Sequence, residues 1–542
     1  MNIYELFARQ VRQRPDAAAL VEWKRGRPHP MSFRGLDTAS ARTAAMLATI
    51  GLRAGDPVLV FVPMSVDLYV ALLAILRLGL VAVFIDPSAG RQHIERCCAV
   101  LPPNALIATP KAHLLRCISP ALRRIPVGFT TGALPLPGAR RWSDWSQYSA
   151  GGKAAECTPE APALVTFTSG STGAPKAVVR SHGLLAAQQQ SLSAELKISS
   201  GDMVLSGLPI LVLSNLGSGA ANLLPGCDLH HPGSVDSASI VCRIRAMGVT
   251  CIQASPAFLE RVANHCLRRS VTLPEIRRIC TGGAPIFPRL LDQVQSAAPQ
   301  AEITAIYGAT EAEPIACMSR ADLRRADRMA MDSGFGLLAG RPIRDIELRI
   351  LPDLWGTPIG PFSASDFNDL CLGRGMAGEI VVCGSHVVQS YLRGEGDRAT
   401  KFSVGGKTWH RTGDAGRMDE EGNLWLLGRC AARISDRQGV LYPFTVETAA
   451  AGHAAVRRSA CVRTDGRRVL VVEPAARARS NQWAALESDL AWAHVERILV
   501  VPHVPVDRRH NAKVDYPALA RLLKRERKGS PLKYQPLIRP HR

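Results

Sequence analysis

Nine consecutive residues, Thr168-Ser169-Gly170-Ser171-Thr172-Gly173-Ala174-Pro175-Lys176, bring together hydroxyl side chains, two glycines and an ammonium group. The glycines let the backbone close around a bound group. The hydroxyls, the backbone N–H groups and the Lys176 charge are what a polyphosphate requires. The Gly-x-x-x-x-Gly-Lys-Ser/Thr spacing of a Walker loop is absent. A solvated Ser/Gly turn shares the composition in shorter form, but the ordered run ending in Pro-Lys favours phosphate binding.

The flanking residues predict how such a loop would be held. Residues 164–167 are apolar and read as a buried strand, and the segment from Ala177 reads as a strand followed by a helix over 181–196. Upstream, 33–52 reads as a helix, 57–62 as a strand, 66–77 as a helix and 80–85 as a strand. Downstream, strands are predicted at 248–253, 276–280 and 302–307, with a helix at 256–266. This alternation predicts an α/β fold with a parallel sheet covered by helices. Residues 204–224 are apolar and interrupted by Pro209 and glycines, which suits either core strands and turns or the wall of a cavity.

With 542 residues, of which 46% are apolar, the chain is long enough for three or four compact units. Its formal charge of +20, from 66 basic and 46 acidic residues, would attract polyanions. The excess arginine is spread along the chain without a zinc finger or an aromatic-basic pattern, so no nucleic-acid partner is expected. The 14 cysteines are scattered, with no Cys-x-x-Cys pair. Reduced thiols are therefore expected, rather than a metal site or a disulfide framework. Residues 1–15 lack the apolar core of a secretory signal. The most apolar stretch, 68–85, contains Arg77 and Gly79 and reads as a buried helix then a strand, so no transmembrane segment is expected.

Further motifs follow the phosphate loop in order. They are Thr281-Gly282-Gly283-Ala284-Pro285, Tyr307-Gly308-Ala309-Thr310-Glu311, Gly378-Glu379-Ile380-Val381-Val382 with Tyr391, Trp409-His410-Arg411-Thr412-Gly413-Asp414, Asn423 to Arg429, and Pro505 to Lys513. Over roughly residues 1–525 the series resembles the class I adenylate-forming superfamily: acyl-CoA synthetases, luciferases and the adenylation domains of peptide synthetases. The resemblance implies a large N-terminal lobe over 1–428, built of parallel-sheet α/β subdomains plus a small β subdomain. It also implies a small mobile α+β domain over 429–525, leaving a basic tail at 526–542 that is disordered or contacts a partner.

The same resemblance implies ATP and Mg2+ and assigns roles. Thr168, Ser169, Gly170, Ser171, Thr172, Gly173 and Lys176 would surround the phosphates, with Thr172 also on the metal. Gly283, Ala284 and Pro285 would form the adenine pocket, against which Tyr307 and Gly308 close, Tyr307 stacking on the base. Thr310 would bind phosphate and Glu311 would hold Mg2+. Asp414 would take the ribose hydroxyls, Arg429 would contact ribose or phosphate at the junction of the lobes, and Lys513 would bridge the acyl carboxylate and the α-phosphate. Lys513, Glu311 and Thr310 are thus the catalytic candidates. The residue types suit these tasks: an aromatic face for a purine, a hard oxygen for magnesium, two acceptor oxygens for a diol.

The chain departs from the common acyl-CoA synthetase pattern at several points. Lys176-Ala177 stands where Lys-Gly is usual, Pro209-Ile210-Leu211-Val212 lacks a usual histidine, Ala432 and Ser435 replace hinge-region charges, and Asn511-Ala512-Lys513 replaces Gly-Lys. With Ile85-Asp86-Pro87 and Gly439-Val440-Leu441-Tyr442, these features look like the olefin β-lactone synthetases. That branch implies a long-chain β-hydroxy acid activated with ATP and closed on itself, and possible contacts with enzymes of the same route. The alternatives are a ligase that passes the acyl group to CoA or a carrier protein, and a non-catalytic nucleotide- or partner-binding homologue. The joint presence of Lys176, Glu311, Asp414, Arg429 and Lys513 speaks against the last. His410 and His510 are the histidines of a type able to take the hydroxyl proton, though a structural role is expected for both. ATP use and the missing signal predict a cytoplasmic protein.

Overall fold

The computed structural model describes all residues except 133–135, 170–174, 230, 477, 479, 507–513 and 527–542. The basic tail expected after residue 526 lies outside the described residues, apart from the end of the helix Tyr516–Glu526.

A seven-stranded sheet carries the phosphate-loop motif. Its order is Arg140–Arg141, Val127–Thr130, Ala105–Ala108, Pro57–Phe61, Val81–Phe84, Pro162–Ser169 and Pro175–Ser181. Neighbours are parallel except the last pair, an antiparallel hairpin in which Thr168 opposes Lys176. The helix Val66–Arg77 is buried from Leu68 to Leu76 and is capped by Ser65, whose hydroxyl accepts from Leu68 N. A helix that is apolar all round belongs in a core, and the stretch 68–85 is indeed helix, then strand. Among the described residues, no helix is long and apolar enough to cross a membrane.

A second, fourteen-stranded sheet changes character along its width. From Ala18–Lys24 through Ala221–Leu223, Met203–Ser206, Cys251–Ala254 and Arg278–Gly282 to Glu302–Ala309, neighbouring strands are parallel. Beyond Glu302–Ala309 every pairing is antiparallel, beginning with Ala312–Ser319. The turn between these two strands holds Thr310 and Glu311. Parallel pairing requires long crossovers, which here are helices; antiparallel pairing needs only turns. The changeover therefore falls at a tight hairpin.

Two elements differ from the sequence expectation. The helix expected over 33–52 ends at Ala48, because Gly51 adopts a left-handed φ of 82° that closes the helix off. Within 204–224 lies a helix, Pro209–Gly217. Pro209 occupies its first turn, where the missing N–H costs nothing; as a supposed breaker it had hidden the helix.

The small C-terminal domain contains the hairpin Ile434–Asp436/Gly439–Leu441, the helix Pro443–Ala451 and the sheet Val456–Thr464, Arg467–Pro474, Arg497–Val500. It meets the large lobe through Phe444 against Phe287, with ring centroids 6.2 Å apart. Asp353 also accepts from Tyr442 Oη at 2.9 Å and pairs with Arg433 at 2.9 Å. All 14 cysteines are free thiols.

Candidate functional site

The strand Arg278–Gly282 delivers Gly283, Ala284 and Pro285 beside the strand Glu302–Ala309, with Gly282 opposite Ile306. Gly283 takes φ 84°, a left-handed turn that suits glycine. Tyr307 follows Ile306, so the proposed adenine loop and Tyr307 are neighbours across one strand pair.

Asp414 lies in the strand Lys407–Met418 and is held by its neighbours. Two residues before it, Thr412 accepts from Asp414 N through its hydroxyl at 3.0 Å. Next to Thr412, Arg411 and Glu379 form an ion pair with both side chains 1% exposed and a closest contact of 2.6 Å. Arg411 also donates to Thr357 O at 2.6 Å. Among the described residues each carboxylate oxygen of Asp414 has one partner: Tyr307 Oη donates to Oδ2 at 2.8 Å, and Arg429 Nε lies 3.1 Å from Oδ1. Burial and the Asp414 charge hold the Tyr307 phenol well above its usual range, so it stays a donor. Arg429 opposes Asp414 in the strand register and donates to Thr412 O at 3.2 Å. Its side chain is 57% exposed, so the pair with Asp414 adds little stability and its guanidinium remains open to a ligand.

Glu311 sits at the tip of the hairpin. Its carboxylate Oε1 accepts from Tyr391 Oη at 2.8 Å, and its carbonyl accepts from Val388 N at 2.8 Å. The other carboxylate oxygen accepts no hydrogen bond among the described residues. Tyr391 N in turn donates to Asp397 Oδ1 at 2.9 Å. Two ammonium groups stand over the Tyr391 ring, Lys176 Nζ at 5.3 Å and Lys401 Nζ at 5.7 Å from its centroid, within the range of a cation–π attraction. Lys401 also donates to Val388 O. Burial pushes the Lys401 ammonium down to about 8, and the Glu311 and Asp397 carboxylates limit the fall. The Lys176 stem runs over Gly396, where a Cβ would lie 2.9 Å from Cδ of Lys176; the absence of a side chain there leaves the lysine its path.

Arg180 joins the two sheets. From the strand Pro175–Ser181 it donates to Thr310 O at 2.9 Å and to Thr166 Oγ1 at 3.4 Å. The hairpin tip is thereby tied to the strand that leads into the phosphate loop.

The structure thus brings Lys176 and Glu311 to the Tyr391 side chain, Tyr307 and Arg429 to the Asp414 carboxylate, and Thr310 to Arg180. Thr168 and Ser169 end the strand Pro162–Ser169. Gly170, Ser171, Thr172 and Gly173 lie outside the described residues, as do Lys513 and His510. His410 is buried, with Nδ1 3.1 Å from Thr400 O. Burial and the nearby Lys401 hold its imidazole far below the usual range, so it is neutral. Arg180, Lys401 and Gly396 were not singled out in the sequence. A charged residue within the apolar strand 175–181 was the one available signal for Arg180; the other two depend on chain segments far apart in sequence.

No cluster of three or more His, Cys, Asp or Glu side chains able to hold a metal is found among the described residues. Magnesium needs few protein ligands, typically one or two carboxylates supplemented by substrate phosphates and water. The half-engaged carboxylate of Glu311 fits that need.

A parallel α/β lobe carries, at one hairpin, Tyr307 bonded to Asp414 beside Arg429 and Glu311 bonded to Tyr391 beneath Lys176. The chain belongs to the AMP-binding enzyme family, whose pattern matches residues 7–392, and it is an AMP-forming acyl-activating enzyme. It is 31% identical to an olefin beta-lactone synthetase of Stenotrophomonas maltophilia, over 96% of this chain and 97% of that one. It is 30% identical to an olefin beta-lactone synthetase of Xanthomonas campestris pv. campestris, again over 96% and 97%. In fold it is similar to an anthranilate CoA ligase solved in complex with anthranoyl-AMP, with a TM-score of 0.82 and 17% identity over 98% of both chains.

Proposed function

We propose that the protein converts a long-chain β-hydroxy carboxylic acid and ATP to an acyl-adenylate with release of pyrophosphate, then closes the acyl group to a β-lactone with release of AMP. The observation that supports the reading is the hairpin 302–319, which brings Tyr307 to Asp414 beside Arg429 and Glu311 to Tyr391 beneath Lys176; the former set would take the ribose, the latter with Thr310 the phosphates and metal. The full-length similarity to two olefin beta-lactone synthetases supports the second step.

Asp414 accepts the ribose hydroxyls, loosening its contact with exposed Arg429, which turns to the ribose or phosphate. The adenine lies between Tyr307 and the Gly283-Ala284-Pro285 loop. Residues 168–173 and Lys176 bind the β- and γ-phosphates, while Thr310 binds the phosphate chain at the tip. Glu311 and Thr172 would hold Mg2+, which when bound would supply neutralising charge to the phosphates. Lys513 reaches the reacting centre from the domain 429–525, which pivots near Gly428 and Arg429 on the lobe 1–428. The acyl carboxylate attacks the α-phosphorus, and the chain contributes alignment and charge rather than a covalent nucleophile.

In the second step the β-hydroxyl oxygen bonds to the acyl carbon, the bond from that carbon to the phosphate oxygen breaks, AMP departs and the hydroxyl proton is lost. Because the nucleophile is tethered to its target, an effective molarity on the order of 10⁵ M is available without a second substrate.

Mass spectrometry of products from long-chain β-hydroxy acids with ATP and Mg2+, with and without CoA, tests the reading. A β-lactone formed with AMP in the absence of CoA is expected. An acyl-CoA formed only when CoA is present would overturn the second step and leave a ligase.

A further inference from the structure

Asp353 stands in the loop after the strand Ile346–Leu351, and its carboxylate faces two ways. Oδ2 accepts from Tyr442 Oη at 2.9 Å and pairs with Arg433 Nη1 at 2.9 Å. Arg433 Nη1 also donates to the Asp353 carbonyl at 2.9 Å. Arg433 and Tyr442 are the residues just before and just after the hairpin Ile434–Asp436/Gly439–Leu441. Both ends of that hairpin are therefore pinned to one residue of the large lobe. The other oxygen, Oδ1, accepts from Trp355 N at 3.2 Å. The Asp353 side chain is only 6% exposed, so these contacts are largely shielded from water and outweigh an ordinary surface pair.

Trp355 carries the contact on to the strand Lys407–Met418. Its ring packs with Ala415, Leu427, Cys430 and Tyr442, and the Arg411 guanidinium lies 5.4 Å from the ring centroid, within cation–π range. Two residues further along the loop, Thr357 O accepts from Arg411 Nη1 at 2.6 Å. The ring also covers Gly413. That residue takes φ 70°, and a Cβ on it would lie 2.8 Å from Cη2 of Trp355. A side chain there would strike the ring, so the close approach needs glycine. The loop 353–357 thus touches the C-terminal domain through Asp353 and braces residues 411 and 413, directly before Asp414, through Trp355 and Thr357.

We propose that Asp353 and Trp355 are positioning residues for Asp414: with the hairpin 434–441 seated on Asp353, the loop 353–357 holds Asp414 where it takes the ribose, and a nucleotide binds more weakly when that seat is lost. The inference rests on the nucleotide roles given above. An unseated hairpin takes Tyr442 and Arg433 away from the Asp353 carboxylate and frees the loop to shift, Trp355 with it. Coupling of this kind is reciprocal, so a bound nucleotide favours the seated hairpin by the same factor.

The test is a double-mutant cycle on ATP affinity, read by isothermal titration calorimetry of the full chain. Tyr442→Phe and Asp353→Ala should each weaken ATP binding about 5-fold or more, the lower end of couplings between two sites, with a melting transition showing that each variant is folded. In an Asp414→Ala background the same changes should have no further effect, because they act through that carboxylate; a merely structural loss would persist there. If Asp353→Ala does not fold, Tyr442→Phe, which keeps the ring and loses one bond, carries the cycle. Unchanged ATP affinity in the folded variants, or an equal loss in the Asp414→Ala background, overturns the positioning assignment alone. Unchanged affinity in Asp414→Ala itself overturns the nucleotide roles, and this assignment with them.

Discussion

Tyr391 and Glu311 are joined by a 2.8 Å hydrogen bond across 80 residues of sequence, the phenol donating to the carboxylate. The same ring carries Lys176 and Lys401 within cation–π range. The proposed metal carboxylate and the proposed phosphate lysine are therefore set by one side chain, and a change in the ring should be felt by both.

Replacing Tyr391 with Phe keeps the ring and removes the bond to Glu311. Such a bond is worth about 1.5–3 kcal/mol, so adenylation should slow about 10-fold or more. The Mg2+ concentration giving half-maximal rate should rise, because Glu311 is less well oriented. Pyrophosphate release titrated with Mg2+ measures this; an unchanged Mg2+ dependence would show that Tyr391 does not act through Glu311.

Asp414→Ala removes the acceptor shared by Tyr307 and Arg429 and leaves the Tyr307 phenol without its partner. ATP should bind at least 10-fold more weakly, the cost of about one charged hydrogen bond. Isothermal titration with ATP reads it directly. Equal affinity in variant and wild type would remove Asp414 from the ribose assignment.

For Lys513→Ala, the expectation is loss of adenylate formation with the melting temperature preserved, since the residue is assigned to charge stabilisation in the transition state. A folded variant that releases pyrophosphate at the wild-type rate would contradict the role.

Stability of the C-terminal domain should carry a pH signature from Glu447. Burial pushes its carboxyl up to about 7, against the lowering effect of its bonds from Cys461 N and Tyr516 Oη. The folded state therefore holds this proton over a range in which the unfolded chain releases it. Its contribution is fully present below about pH 4.5 and is lost as pH rises through about 7. Relative to Glu447→Gln, the wild type should lose roughly 3 kcal/mol across that window, measured by chemical denaturation at a series of pH values. A constant difference between the two proteins would refute the linkage.

The sequence disclosed what depends on local order. The apolar runs around the phosphate loop, the strand before Thr281 and the strand before Tyr307 all form where residue type and periodicity predicted them, because each is decided by its own neighbours. Asp414 and Arg429, which the resemblance assigned separately to ribose and to ribose or phosphate, lie on adjacent strands of one hairpin. The bond from Tyr391 to Glu311, the buried pair Arg411–Glu379 and the burial of Lys401 were not legible. Each is made by strands or loops far apart in the chain, and nothing in a local pattern states which will meet.

The change from parallel to antiparallel pairing across Thr310 and Glu311 bears on how the enzyme can move. Because the fourteen strands form one hydrogen-bonded sheet, the Tyr307 side and the Glu311 side of the hairpin cannot shift far relative to each other without rupturing backbone bonds. The hairpin amides should be among the slowest in the molecule to exchange with deuterium, with or without nucleotide. For the proposed function, nucleotide recognition then proceeds on a stiff anvil.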